Sequence, residues 1–83
     1  MIFLILSEEG FAEIQEVADK SLAMLWLNKG IINADALELA KEQQWHIYVF
    51  SEYINPHSEN AIIKAIKYIE KKYPDEAIEV EYY

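Results

Sequence analysis

Apolar residues along this chain fall into short blocks, and the spacing inside the blocks changes several times between Met1 and Tyr83. Ile2-Phe3-Leu4-Ile5-Leu6 is an unbroken apolar run, the pattern of a strand covered on both faces, as in a parallel sheet. Ser7 follows as an N-cap, with Glu8 and Glu9 placed where a helix macrodipole favours negative charge. Phe11, Ile14, Val17 and Ala18 then recur at helical spacing, which predicts a helix over 8–20 with Glu13, Glu16 and Asp19 on its outer side.

Leu22-Ala23-Met24-Leu25-Trp26-Leu27 can be read two ways. Its good helix formers could prolong the first helix. Its shortness, its apolar character all round and the stop at Asn28-Lys29-Gly30 favour a second buried strand. Asn33 is the expected cap of a second helix over 34–43, with Ala36, Leu37 and Ala40 facing inward. Trp45-His46-Ile47-Tyr48-Val49-Phe50 is rich in β-branched and aromatic residues and predicts a third strand. Asn55-Pro56-His57-Ser58 prepares a third helix, capped by Asn55 or Ser58, with Ile62, Ile63, Ile66 and Ile69 as its buried stripe and Pro74 as its stop. From Ala77 to Tyr82 apolar and acidic residues alternate, which suits an edge strand with one face in water.

The result is β-α-β-α-β-α-β in one domain spanning 1–83, an alternation that favours a mostly parallel four-stranded sheet joined by right-handed crossovers. The pattern resembles half of a doubly wound, flavodoxin-like or receiver-like fold, and strand order 2-1-3-4 is the expectation that follows from the resemblance.

Composition narrows the class. Hydrophobic residues make up 53% of the chain, with two Gly and two Pro, so it has the apolar content of a packed domain rather than of a disordered one. It has no cysteine, so packing alone must hold the fold, as in a reducing, cytoplasmic setting. The opening apolar run lacks a basic flank and is interrupted by Glu8-Glu9, unlike a signal sequence, and no stretch approaches the length of a membrane span. Seven lysines, no arginine and fifteen acids give a formal charge of −8, which disfavours nucleic acid and anionic membranes as direct partners.

Candidate chemistry is sparse. In parallel sheets ligands sit beyond the C-terminal strand ends, and that rim gathers Ser7, Glu8, Glu9, Asn28, Lys29, Glu52, Tyr53 and His57, with Ser51 and Asn55 beside them. A phosphate loop needs glycines, whereas the first turn offers Gly10 alone behind two carboxylates. Glu8, Glu9 and Glu52 have the hard oxygens of a magnesium site, as in the acidic cluster of receiver domains, but Ser51 and Glu52 stand where that family has its phosphoacceptor aspartate. His57 beside Ser58 and Glu59 has the residue types of a hydrolytic site, but the chain has no G-x-S-x-G nucleophile elbow, and His46 falls in a predicted strand. No motif calls for a cofactor or a resident metal, and no catalytic residue is assigned. Lys64, Lys67, Lys71 and Lys72 form a basic stripe on the third helix, read as its solvated face. Glu79, Glu81, Tyr82 and Tyr83 make the last strand a candidate interaction edge, since an edge strand is either used for pairing or blocked. The leading expectation is a small acidic, non-catalytic protein-interaction or regulatory module, homodimeric or docked on another protein. The alternatives are a small enzyme or cation-binding domain at the strand-end rim, and an acidic mimic of nucleic acid that occupies a basic protein groove.

Overall fold

The computed structural model describes residues 1–81 and contains four strands and three helices. In chain order these are β1 (Ile2–Ile5), α1 (Glu8–Val17), β2 (Met24–Leu27), α2 (Ala34–Glu42), β3 (His46–Val49), α3 (Glu59–Lys72) and β4 (Ile78–Glu81). All neighbouring strands are parallel, so the β-α-β-α-β-α-β reading and the parallel sheet hold. Residues 22–27 resolve as a short turn followed by the strand β2.

The strand order is 3-2-1-4 rather than 2-1-3-4, and this corrects the flavodoxin-like expectation. It matches the first four strands of the dinucleotide-binding doubly wound order. The expected order would have placed β3 in the middle of the sheet, with both of its faces covered. β3 carries His46 and Tyr48, whereas β1 and β2 consist of Ile, Phe, Leu, Met and Trp. The two wholly apolar strands therefore take the central places. The strands with His46 and Tyr48, and with Glu79 and Glu81, take the edges, where His46, Tyr48 and Val49 of β3 and Glu79 of β4 meet water.

This order separates the helices. Steps from β1 to β2 to β3 move one way across the sheet, and the step from β3 to β4 moves back over β2 and β1. With right-handed crossovers, α1 and α2 must lie on one face and α3 alone on the other. The core divides accordingly. Ile5, Leu25 and Leu27 pack with Phe11 and Ile14 of α1, Ala40 of α2 and Trp45. Ile2, Leu4, Leu6 and Trp26 pack with Ile62, Ala65 and Ile69 of α3 and with Ile54 from the loop before it. Each aliphatic side chain removed from water in these clusters contributes about 1.5–3 kcal/mol before the entropy of ordering is subtracted.

The caps fall where the side chains can reach. Ser7 accepts from the Gly10 N–H at 3.1 Å, Asn33 from Ala36 at 2.7 Å and Ser58 from Ala61 at 3.2 Å. Asn55 instead fixes the preceding turn by accepting from the His57 N–H at 2.9 Å. Two apolar residues expected on buried stripes lie outside them. Val17 ends α1 largely in water, because the chain turns away there through Asp19, whose carboxylate accepts from both the N–H and the hydroxyl of Ser21. Ile63 is exposed because Ala65, with Ile62 and Ile69, forms the contact line of α3.

Candidate functional site

The eight rim residues expected at the strand ends are not gathered in one site; the structure places most of them at three positions, with Lys29 and His57 apart from these. At the first, Ser7 caps α1 and leaves Glu8 and Glu9 exposed on its opening turn. This turn seats against the end of β4. A Cβ on Gly10 would stand 3.3 Å from the Glu81 Cβ and 3.3 Å from the Ser7 Oγ, so the approach is as close as glycine allows. Burial raises the Glu81 carboxyl above its ordinary value, and the charges of Glu79 and Glu13 push the same way. The switch in strand order lies between β1 and β4, where doubly wound folds hold anions, and here the residues that follow β1 and end β4 include Glu8, Glu9 and Glu81.

The second place is interior. Asn28 is fully buried, and its side chain is consumed by backbone. Its Nδ2 donates to the Ile54 carbonyl at 2.8 Å and to the Leu6 carbonyl at 3.3 Å, while its Oδ1 accepts from the Ile54 N–H at 2.8 Å. The amide thus ties the ends of β1 and β2 to the loop that follows β3, and it holds Ile54 in the core. Lys29 lies outside this clamp, on the exposed turn whose tight bend Gly30 permits at φ +84°.

The third place is the face covered by α3. Glu52 and Tyr53 line a cleft of about 260 Å³ between the loop after β3 and the helix, with Phe50, Lys64 and Tyr68 as its other polar and aromatic walls. His57 belongs elsewhere, to a separate pocket of about 300 Å³ lined also by Pro56, Glu59 and Ile63. Among the described residues no three His, Asp or Glu side chains converge as a metal-ligand set, so Glu8, Glu9 and Glu52 do not assemble the cation site their residue types suggested.

Beneath the cleft lies an aromatic cluster that the sequence pattern does not reveal. Trp26 stacks on Tyr48 with ring centroids 4.9 Å apart, meets Phe50 at 5.2 Å and receives the edge of Tyr68 at 5.9 Å. The Lys72 ammonium stands 5.2 Å from the Tyr68 ring centre, within cation–π range. Partial burial raises the Tyr73 phenol above its ordinary value, the neighbouring Tyr48 hydroxyl adds to this, and Lys72 opposes it. The Trp26 Nε1 is buried and has no hydrogen-bond partner among the described residues.

The cluster remains half uncovered because a single helix serves this face, and it lies over β1 and β2. Tyr48 is 42% exposed, Tyr53 64% and Tyr68 50%. No family model, curated protein or solved structure matches the chain. The cleft offers aromatic walls, one cation at Lys64 and one anion at Glu52, with no nucleophile–base pair among its lining residues. Only fragments of it are legible in the sequence. Tyr48 and Phe50 share one strand face, and Tyr68 follows Lys64 by one helical turn, while the register that brings Trp26 beside Tyr48 is seen only in the folded sheet. The candidate edge at β4 keeps Glu79 exposed and Glu81 half-buried, while Tyr82 and Tyr83 lie outside the described residues.

Proposed function

We propose that the protein is a non-catalytic interaction module that holds a segment of another protein in the aromatic cleft between α3 and the loop after β3. The observation that carries this reading is the concentration of half-exposed tyrosines around that cleft on a sheet face that one helix leaves partly open. Tyrosine buries a large area while keeping a polar tip, and aromatic residues dominate the energetics of docking surfaces. A monomer with no use for this face would be expected to cover it or to break it with charge.

The rim indicates what the segment carries. α3 has four of the seven lysines, and Lys64 and Lys72 flank Tyr68 along one helical face. The rest of the chain is strongly acidic, so α3 is the surface where a negative group meets least repulsion. An apolar or aromatic anchor with a neighbouring Asp or Glu fits the cleft, the anchor against the Phe50–Tyr68 pair and the carboxylate at Lys64.

Selection from a random peptide library displayed on phage tests the reading. We expect enriched peptides that share an apolar anchor beside an acid. Tyr53→Ala or Lys64→Glu should weaken them by about tenfold or more without changing thermal unfolding, since both side chains are exposed. Absence of enrichment, or peptides indifferent to both substitutions, overturns it.

A further inference from the structure

The two edges of the sheet differ sharply in charge. Along β4 and its approach, Asp75, Glu76, Glu79 and Glu81 are spread over seven residues. Two copies brought together there would oppose eight carboxylates, which is a common way of blocking an edge. Along β3 the situation is reversed. From Gln43 to Ser51 there are nine residues without a carboxylate or an ammonium group, and none is proline or glycine. The strand is regular and unbulged across its pairing with β2, and His46, Tyr48 and Val49 are exposed.

The backbone of that edge has a definite pattern. The Phe50 N–H donates to the Leu27 carbonyl at 3.0 Å, so Phe50 turns its N–H towards β2. Direction alternates along a strand, hence Tyr48 and His46 also face β2, and Ile47 and Val49 turn their N–H and C=O groups away from the sheet. The outward groups are therefore placed symmetrically about Tyr48. A strand with this arrangement complements itself. Run antiparallel to its own copy, Ile47 exchanges both hydrogen bonds with Val49 of the second copy, and Val49 does so with Ile47.

We infer that β3 pairs antiparallel with β3 of a second copy about a two-fold axis at Tyr48, joining two sheets into one of order 4-1-2-3-3-2-1-4. For a chain of charge −8, this uncharged edge is where two copies approach with the least repulsion. Tyr48 then meets its own copy in a non-hydrogen-bonded pair, the type in which opposed side chains come closest. His46 faces Phe50 of the other copy on the same side. The Trp26–Tyr48 stack continues across the axis, and the two clefts come to lie on one face of the joined sheet. This goes beyond the peptide-docking reading, and the two can fail separately, because Tyr53 and Lys64 lie on the loop and helix and take no part in the edge.

Amide exchange of the wild-type chain, followed by NMR at rising protein concentration, is the first test. The amides of Ile47 and Val49 should slow by about tenfold or more as the dimer forms, and those of Ile78 and Val80 on the other edge should not. The second test uses the absence of native cysteine. Tyr48→Cys should form a disulfide dimer under mild oxidation, because a directly opposed pair has Cα atoms about 4.5 Å apart, within disulfide range. Glu79→Cys should not. Val49→Pro removes an outward N–H that the sheet does not use, and it should give a folded monomer. Ile47 and Val49 amides that exchange freely at every concentration, or a Tyr48→Cys chain that cross-links no faster than Glu79→Cys, overturn the inference.

Discussion

Asn28 illustrates how far a single side chain can be from the role its position suggests. It follows β2 at a strand end, where polar residues commonly meet ligands, yet both ends of its amide are taken by Leu6 and Ile54. Asn28→Ala leaves the Ile54 N–H and two carbonyls without their partner in the interior. The expected loss is roughly 2–4 kcal/mol, measured by urea unfolding, with a looser 50–58 loop visible as faster amide exchange at Ile54. A substitution at its neighbour Lys29, which is exposed, should change stability little, and this contrast separates clamp from surface. Glu81 supplies a second test at this scale. Its carboxyl is raised by burial and by Glu79 and Glu13, so over the range above its ordinary value of 4.5 the folded chain binds more protons than the unfolded one. Its contribution to stability therefore falls as pH rises through that range and is restored on acidification. Glu81→Gln should raise the midpoint of thermal unfolding near neutral pH and lose this advantage at about pH 4.

At the scale of the element, local chemistry is written plainly along the chain. Ser7, Asn33 and Ser58 announce the three helices, and each side-chain oxygen accepts the N–H three residues on. Apolar runs mark the strands, and Pro74 follows shortly after the end of α3. Where element ends were less legible, a neighbouring turn decided them. Asp19 bonds Ser21 and stops α1 at Val17, a local hydrogen bond that helical periodicity cannot register. The seat of α1 also depends on a contact far away in sequence, between Gly10 and Glu81. A helix interior normally gains from replacing glycine, by about 1 kcal/mol for alanine. Here Gly10→Val must push aside either the Glu81 Cβ or the capping Ser7 hydroxyl. We expect a net loss of roughly 1–3 kcal/mol in denaturant unfolding.

At the scale of the molecule, the number and kind of elements were legible, whereas their lateral order was not. Periodicity reports how much of each face is apolar and is silent on which neighbour covers it. The polar marks that send β3 and β4 to the edges, His46 and Tyr48 on one and Glu79 and Glu81 on the other, are present in the sequence. They acquire meaning only when weighed against the unbroken apolar character of β1 and β2. The cleft was hidden for the same reason. Trp26, Tyr48, Phe50 and Tyr68 come from three elements and meet only once α3 has crossed back over the sheet. Glu52 and Tyr53, both anticipated at the rim, do line that cleft, whereas Ser7, Glu8, Glu9 and His57 are placed elsewhere by the helix starts they belong to.

The central place of β1 has a consequence for the chain during its synthesis. One side of β1 pairs with β2, which is made soon afterwards, but the other pairs with β4, Ile2 lying beside Ile78. Until β4 leaves the ribosome, the most apolar of the four strands has one row of backbone groups unpaired, and α3 has no completed sheet to cover. Such an edge is a template for the wrong partner. From the synthesis of β1 until β4 has emerged, the nascent chain must therefore carry its future centre as an aggregation-prone surface, and the four residues from Ile78 to Glu81 are what close it.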